Sequence, residues 1–345
     1  MRTAMPTSDS VASDRMPFDR MPFEYLQLDV FAARPGAGNP LGVVVDGEGF
    51  DPAGMQAFAA WTNLSETIFL LPPTVPEADY RVRIFTPRQE LPFAGHPSVG
   101  AAWAAVTTGR VTAGRETLVQ ECAAGLLPVH LAREGDAVRP QVRAPRARRM
   151  GGAELAPALL AAALAPMRRG SEPADGDEQP AGTDVIDTGA PGAARRHGGS
   201  SALQPALWSN GPLWWLVPLA DAAAVRGLAE GDGLDLAAIA ALTRATGAVG
   251  LAVFAPDPRD GHHLAVRAFC PADNIPEDPV TGSAQAAIAA CLADAGQLPG
   301  TDGRYVGSQG RELGRDGRVE VHVDEAGEVW IGGAVQCPIR GRLVW

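Results

Sequence analysis

The sequence predicts an α/β protein built from two similar lobes. Three observations carry this expectation. Tyr80-Arg-Val-Arg-Ile-Phe85 alternates in the period-2 manner of a strand, and Ala101-Ala-Trp-Ala-Ala105 is a small-residue helix former with no breaker. Between them runs Pro87-Arg-Gln-Glu-Leu-Pro-Phe-Ala-Gly-His-Pro-Ser-Val-Gly100, a punctuated turn in which Ser98 is placed to open the helix. Next, Arg83-Ile-Phe-Thr-Pro87 recurs as Arg267-Ala-Phe-Cys-Pro271, an offset of 184 residues. The same offset aligns Asp51 with Asp235, Thr62 with Thr246, Pro72 with Pro256, Pro92 with Pro276 and Ala102 with Ala286. Finally, the copies differ in their polar residues. Glu66 falls on Gly250, His96 on Val280, and Asp278 on Ala94. A duplicated scaffold whose polar residues are not duplicated points to one asymmetric site made from both halves.

The elements follow in order. Met1–Phe23 is polar, repeats Arg-Met-Pro-Phe and has no apolar h-region, so it reads as a disordered extension and not a secretory signal. Tyr25–Phe31 alternates as a strand, Arg34–Asn39 is a Gly/Pro turn, and Leu41–Val45 is a buried strand. Asp51 caps a helix through Trp61, with Pro52 at its first position. Leu64–Leu71 contains the next strand. Thr117–Val129 and Arg139–Val142 read as two more strands, and Leu155–Leu164 as a helix. Arg168–Ser201 has too few large apolar residues to pack and reads as a linker or insertion. Trp208–Leu219 restarts strand structure, with Trp214-Trp215 as core. Leu234–Thr246 is the second copy of the capped helix, Leu251–Phe254 its strand, and Ser283–Ala293 the second Ala-rich helix. Short strands at Val319–Val323, Val329–Ile331 and Leu343–Trp345 close the chain.

Composition narrows the function. With 345 residues, two lobes of about 150 each are expected, and 46% hydrophobic residues suffice for their cores. A net charge of −11 argues against sequence-independent nucleic-acid binding and against anionic membranes. No apolar run reaches the ~18–20 residues of a membrane span. The cysteines, 122, 270, 291 and 337, form no Cys-x-x-Cys pair, which fits a reducing cytoplasm and gives no metal signature. Neither phosphate-binding Gly motif occurs between a strand and a helix, so no nucleotide or flavin is expected.

Each candidate has a plain reading beside the chemical one. Glu66 sits among Leu64, Ile68 and Phe69, where a carboxyl is pushed toward neutral pH and can shuttle protons; otherwise it is a strand carboxylate paired to an arginine. His96 is a turn residue, or a donor to a substrate oxygen. Asp278 caps the turn at Pro279, or holds a substrate hydroxyl or amine, or orients His96. Ser283 is an ordinary N-cap, or cradles a carboxylate with the amides of Gly282 and Ala284. His262-His263 follow an Asp-Gly turn without metal-ligand company and read as a solvated loop.

Gly38-Asn-Pro40, Asn63-Leu-Ser-Glu-Thr67, Phe85-Thr-Pro87, Glu90-Leu-Pro-Phe-Ala-Gly-His-Pro97 and Pro276-Glu-Asp-Pro-Val-Thr-Gly-Ser-Ala284 resemble the PhzF-like family of phenazine biosynthesis, within the diaminopimelate epimerase-like fold. The order and spacing hold over most of residues 24–343. The resemblance implies lobes that are each a curved, barrel-like mixed sheet around a central helix, the helices starting near Ser98 and Ser283. Their boundaries are expected at 24–150 and 203–345, with 151–202 a helix plus linker and the last strand crossing over. It also implies a cofactor-independent isomerase, a homodimer without metal, acting on a small, anionic substrate. Glu66, His96 and Asp278 would be catalytic, and Gly95, Gly282, Ser283 and Ala284 would bind substrate. Related epimerases use two thiols at the two glycine-rich turns; Ala94-Gly-His-Pro97 and Val280-Thr-Gly-Ser283 hold none. A non-catalytic binding protein is the other rival. Asp316-Gly317 replaces the family's usual Pro-Ser in a late motif.

Overall fold

The computed structural model describes residues 23–169 and 203–345, apart from 113, 136 and 232. The expected N-terminal extension lies outside the described residues, except that Phe23 opens the first strand. The expected insertion lies outside them too, except that 168–169 close a helix.

In chain order the first half runs β1 (Phe23–Val30), β2 (Asn39–Val45), α1 (Pro52–Thr62), β3 (Glu66–Leu71), β4 (Tyr80–Phe85), β5 (Glu90–Leu91), α2 (Gly95–Thr107), β6 (Thr117–Cys122), β7 (Gly125–Glu134), β8 (Ala137–Arg143), β9 (Arg148–Gly152) and α3 (Pro157–Arg169). The second runs β10 (Ala206–Ser209), β11 (Leu213–Pro218), α4 (Ala222–Arg226), β12 (Ala229–Glu230), β13 (Gly233–Leu234), α5 (Leu236–Thr246), β14 (Gly250–Pro256), β15 (Leu264–Cys270), β16 (Ile275–Asp278), α6 (Gly282–Asp294), β17 (Arg304–Gln309), β18 (Gly317–Val323), β19 (Val329–Gly332) and β20 (Val335–Leu343).

Two sheets of matching order result. One runs β20-β1-β2-β3-β4-β6-β7-β8 and packs on α2. The other runs β9-β10-β11-β14-β15-β17-β18-β19 and packs on α6. The β8–β19 pair joins them into one sheet. The halves also exchange strands. β9 leaves the first half to pair with β10, and β20 leaves the second to pair with β1. No helix among the described residues is long and apolar enough to cross a membrane.

Composition explains the central helices. Ala101, Ala102, Ala104 and Ala105 of α2 are fully buried, as are Ala284, Ala286, Ala287 and Ala289 of α6. A helix apolar on every side belongs inside a protein. Small side chains let strands approach it. A methyl at Gly100 would come within 2.3 Å of Leu41 Cδ2. On the outer faces, α1 packs Met55 and Phe58 against Phe69, and α5 packs Ile239 and Leu242 against Leu251 and Val253. Asp51 and Asp235 cap these two helices identically, accepting from Gly54 N and Ala238 N.

Several expectations need correction. Thr117–Val129 is not one strand but a hairpin, β6 and β7, turning before Gly125, whose φ is +105°. The last strand is β20, so Leu343 ends it and Trp345 lies beyond. Helix α2 begins at Gly95, three residues before Ser98, and α6 at Gly282. Ser98 is fully buried within α2, where its Oγ accepts from Gln120 Nε2 at 3.0 Å. His262 is no solvated loop residue: it is 2% exposed and its Nε2 sits 3.0 Å from Asp257 Oδ2.

The repeat register also changes. It holds at 184 through the paired strands β3/β14 and β4/β15. The second copy then inserts a 3-10 turn, Pro271–Asp273, and continues three residues later. Ile84 pairs with Leu91 where Ala268 pairs with Asp278. Asp278 is therefore the counterpart of Leu91, His96 of Ser283, and Gly95 of Gly282. The Pro92–Pro276 and Ala102–Ala286 matches are coincidences.

Candidate active site

Strand alternation aims the first candidate. In β3, Phe69 and Leu71 pack toward α1, whereas Ile68 and Leu70 join the core around α2. Glu66 shares the parity of Ile68 and Leu70, so it faces α2 from the end of the strand. Its side chain is 16% exposed. Phe69, expected beside it, is on the opposite face.

His96 stands in the first turn of α2, and its Nε2 lies 3.5 Å from Glu66 Oε2. Neither of these buried atoms has a hydrogen-bond partner among the described residues. Burial, and after it the charge of Asp278, pushes the Glu66 carboxyl up to about 8. Burial pulls the His96 imidazole down to about 3, against a hydrogen bond to the Pro40 carbonyl. At neutral pH the pair is thus an uncharged acid facing an uncharged imidazole.

Asp278 ends β16 in the other half. Burial raises its carboxyl to about 6, opposed by hydrogen bonds from Thr281 and Asn39. Thr281 Oγ1 donates to Asp278 Oδ2 at 2.5 Å, and Asn39 Nδ2 to Oδ1 at 3.1 Å. Gln309 Oε1 accepts from Thr281 N at 3.0 Å, and its Nε2 donates to the Asp278 carbonyl at 3.0 Å. The sequence alone assigns Asn39, Thr281 and Gln309 no role, although Asn39 and Thr281 lie within two of the family motifs, Gly38-Asn-Pro40 and Pro276-Glu-Asp-Pro-Val-Thr-Gly-Ser-Ala284.

The two helix starts abut. A methyl on Gly95 would lie 3.3 Å from Gly282 Cα and 2.6 Å from Ile331 Cδ1. One on Gly282 would lie 3.2 Å from His96 N. Only glycine allows this approach, which brings two positive helix ends together. In α6 the Gln285 amide makes the first intrahelical bond, to Thr281; the amides of Gly282, Ser283 and Ala284 precede it. Ser283 is not the N-cap. Its Oγ accepts from Trp214 Nε1 at 3.1 Å and its carbonyl from Asn210 Nδ2 at 2.8 Å.

The place matching Glu66 in the second half is filled. A methyl on Gly250 would lie 2.5 Å from Trp214 Cζ3 and 2.7 Å from both Cys270 Sγ and the Phe269 carbonyl. Cys270 is a buried thiol, raised well above its ordinary value by burial and then by Asp278. Among the described residues no three His, Cys, Asp or Glu side chains cluster as metal ligands would. A cavity of about 330 Å³ lined by Tyr25, Phe58, Trp61, Leu64 and Leu343 lies on the α1 side of the sheet.

Comparison with known proteins agrees with this architecture. An uncharacterized isomerase of Deinococcus radiodurans is 33% identical over 93% of this chain and 94% of its own. The trans-2,3-dihydro-3-hydroxyanthranilate isomerase of Pseudomonas aeruginosa is 32% identical over 88% of this chain and 91% of its own. The crystal structure of a PhzF-family phenazine biosynthesis protein from Bacillus anthracis shares the fold, with a TM-score of 0.70 at 24% identity over 94% of this chain and all of that one. The family model "phenazine biosynthesis-like protein" matches residues 28–337, and by that match and these relatives the chain belongs to the PhzF-like family and is an isomerase.

Proposed function

We propose that the protein moves a proton on a small, carboxylate-bearing substrate, with Glu66 as the shuttle and no cofactor. One observation carries the reading: the buried Oε2 of Glu66 faces the buried Nε2 of His96 at 3.5 Å, and neither atom has a hydrogen-bond partner among the described residues. A carboxyl poised at about 8 gives up and regains a proton near neutral pH at little cost in either direction. His96 shares its ring proton with the Pro40 carbonyl, so Nε2 offers a lone pair to Glu66 or receives a substrate hydrogen bond. Asp278, ionised near neutrality, accepts from a substrate N–H or O–H. The amides at the starts of α2 and α6 offset negative charge that develops on the substrate. The identity to an isomerase of a hydroxy amino acid supports a substrate of that class.

A two-base epimerase needs a second proton carrier opposite the first. Position 250, which matches Glu66, is a glycine whose side-chain space Trp214 and Cys270 occupy. This favours one shuttle over two.

The test is solvent deuterium uptake into β-hydroxy and amino carboxylic acids, read by mass. Wild type should label its substrate. Glu66→Gln should lose on the order of 10²–10⁴-fold of that rate while keeping affinity. A variant that keeps more than about a tenth of the rate would move the shuttle to another residue.

A further inference from the structure

Two partly buried carboxyls, Glu66 and Asp278, come from opposite halves of the chain to one site, and one polar side chain reaches both neighbourhoods. Asn39 opens β2 and is 1% exposed. Its Nδ2 donates to Asp278 Oδ1 at 3.1 Å and to the Val280 carbonyl at 2.9 Å, while its Oδ1 accepts from Ser65 Oγ at 3.0 Å. Only one orientation of the amide satisfies all three, because the Val280 carbonyl accepts only. We propose that Asn39, with Thr281 and Gln309 behind it, is the positioning residue that decides which carboxyl of the cleft carries the proton, keeping Asp278 as the acceptor and Glu66 as the acid.

The direction of the hydrogen bonds argues this. Gln309 Nε2 donates to Thr281 Oγ1 at 2.9 Å, so the Thr281 hydroxyl proton is left for Asp278. Both Asp278 oxygens thereby accept, and a carboxylate does that better than an acid. Ser65 Oγ donates to Asn39 Oδ1 at 3.0 Å and also lies in hydrogen-bond reach of the Glu66 carboxyl, where it favours the ionised form. Asn39 thus supplies a donor to Asp278 and competes with Glu66 for the Ser65 hydroxyl proton. The other ionisable neighbours act more weakly. His96 is neutral and Cys270 is a thiol, while Glu277, though paired with Arg267 at 2.7 Å, still pushes the Asp278 carboxyl up, the smallest of the influences on it. Asp273, which also acts on Cys270, lies outside the hydrogen-bond set.

This inference rests on the reading of Glu66 as the shuttle, so its test must not need turnover. Carboxyl ¹³C NMR on protein labelled at Asp and Glu follows each proton directly; Glu66→Gln and Asp278→Asn assign the two resonances. In wild type Glu66 should titrate above Asp278. Thr281→Val removes one donor with little change of shape, and should raise the Asp278 midpoint by about one pH unit and lower that of Glu66. Asn39→Leu, of similar shape, should do the same, since it removes the donor to Asp278 and the competitor for the Ser65 hydroxyl proton. Thr281→Ser restores the hydroxyl and should return both midpoints. If Glu66 titrates below Asp278 in wild type, or if folded Thr281→Val and Asn39→Leu leave both midpoints in place, the proposal falls. Normal titrations alongside absent deuterium uptake would instead count against the shuttle and leave the proton placement standing.

Discussion

The turns that follow β4 and β15 share a frame and differ in what they hold. In each, an arginine two residues before a phenylalanine lies over that ring, Arg83 at 5.2 Å from Phe85 and Arg267 at 5.1 Å from Phe269. Each arginine also grips a glutamate, Arg83 with Glu90 at 2.6 Å and Arg267 with Glu277 at 2.7 Å. Beyond this grip the copies part. The first presents Leu91 and His96; the second presents Asp278 and Ser283. One strand away, Glu66 stands where the other copy has Gly250. The ion pair sets the turn, and the turn leaves the side chains after it free to differ. A two-fold scaffold can therefore carry the one-sided acid–base site proposed above.

The sharpest way to break this parallel is to remove the arginine from each turn in separate proteins. The second pair is the more buried, with side chains 5% and 9% exposed, and Arg267 also donates to the carbonyls of Leu228 and Val225. Arg267→Met strands Glu277 in a buried place. It should cost roughly 3–5 kcal/mol in denaturant unfolding. A loss under about 1 kcal/mol would show that the grip does not hold the turn.

Gly250 offers a second break. Gly250→Ala places a methyl against the Phe269 carbonyl, which cannot swing away, as well as against Trp214 and Cys270. The expected cost is about 1–3 kcal/mol. An unchanged stability would mean that the second half tolerates a side chain where Glu66 stands in the first, and the one-shuttle argument would lose its footing.

Glu66→Gln sharpens the comparison through pH. The Glu66 carboxyl moves from an ordinary 4.5 when unfolded to about 8 when folded. Between these values the native state holds a proton that the unfolded chain has released, so stability falls as pH rises through the window. Gln abolishes that slope, and the variant should gain on wild type between about pH 5 and pH 8 in denaturant unfolding. His96 works at the other end. Its fall from 6.5 to about 3 means that stability is lost as pH drops below 6.5. His96→Gln should therefore flatten the acid limb and leave the alkaline limb alone. Parallel curves for wild type and Glu66→Gln would contradict the buried, neutral carboxyl.

Local chemistry made part of this legible in the sequence. Asp51-Pro52 and Asp235 announce helix starts because a cap acts within one turn, and the Arg-x-Phe-x-Pro repeat survives because both copies need the same strand and grip. Three features were not legible. The 3-10 turn at Pro271–Asp273 shifts the register by three residues, and a gapless alignment hid both Glu90–Glu277 and His96–Ser283. The departure of β9 depends on pairing between distant strands, which no period in the segment encodes, and the crossing of the last strand is implied by the family resemblance alone. Asn39 and His262 owe their burial to partners elsewhere in the fold. Asn39 meets Asp278 across 239 residues of chain, and His262 meets an Asp257 that is itself held by Arg226. Polar residues of this kind look like loop residues until the fold is closed around them.

The smallest expected effect completes the comparison. Arg83 and Glu90 are 25% and 34% exposed, so water already screens both charges. Removing Arg83 leaves Glu90 free to turn outward and hydrate, which Glu277 cannot do. Arg83→Met should therefore cost only about 0.2–1 kcal/mol, and less in high salt. The same substitution at Arg267 should be insensitive to salt, because its penalty is desolvation of a stranded carboxylate. Unfolding both variants in low and in high salt separates the two terms. Equal losses at both sites would mean that the Arg–Phe contact, which the turns share, carries the stability, and that the difference in burial is immaterial.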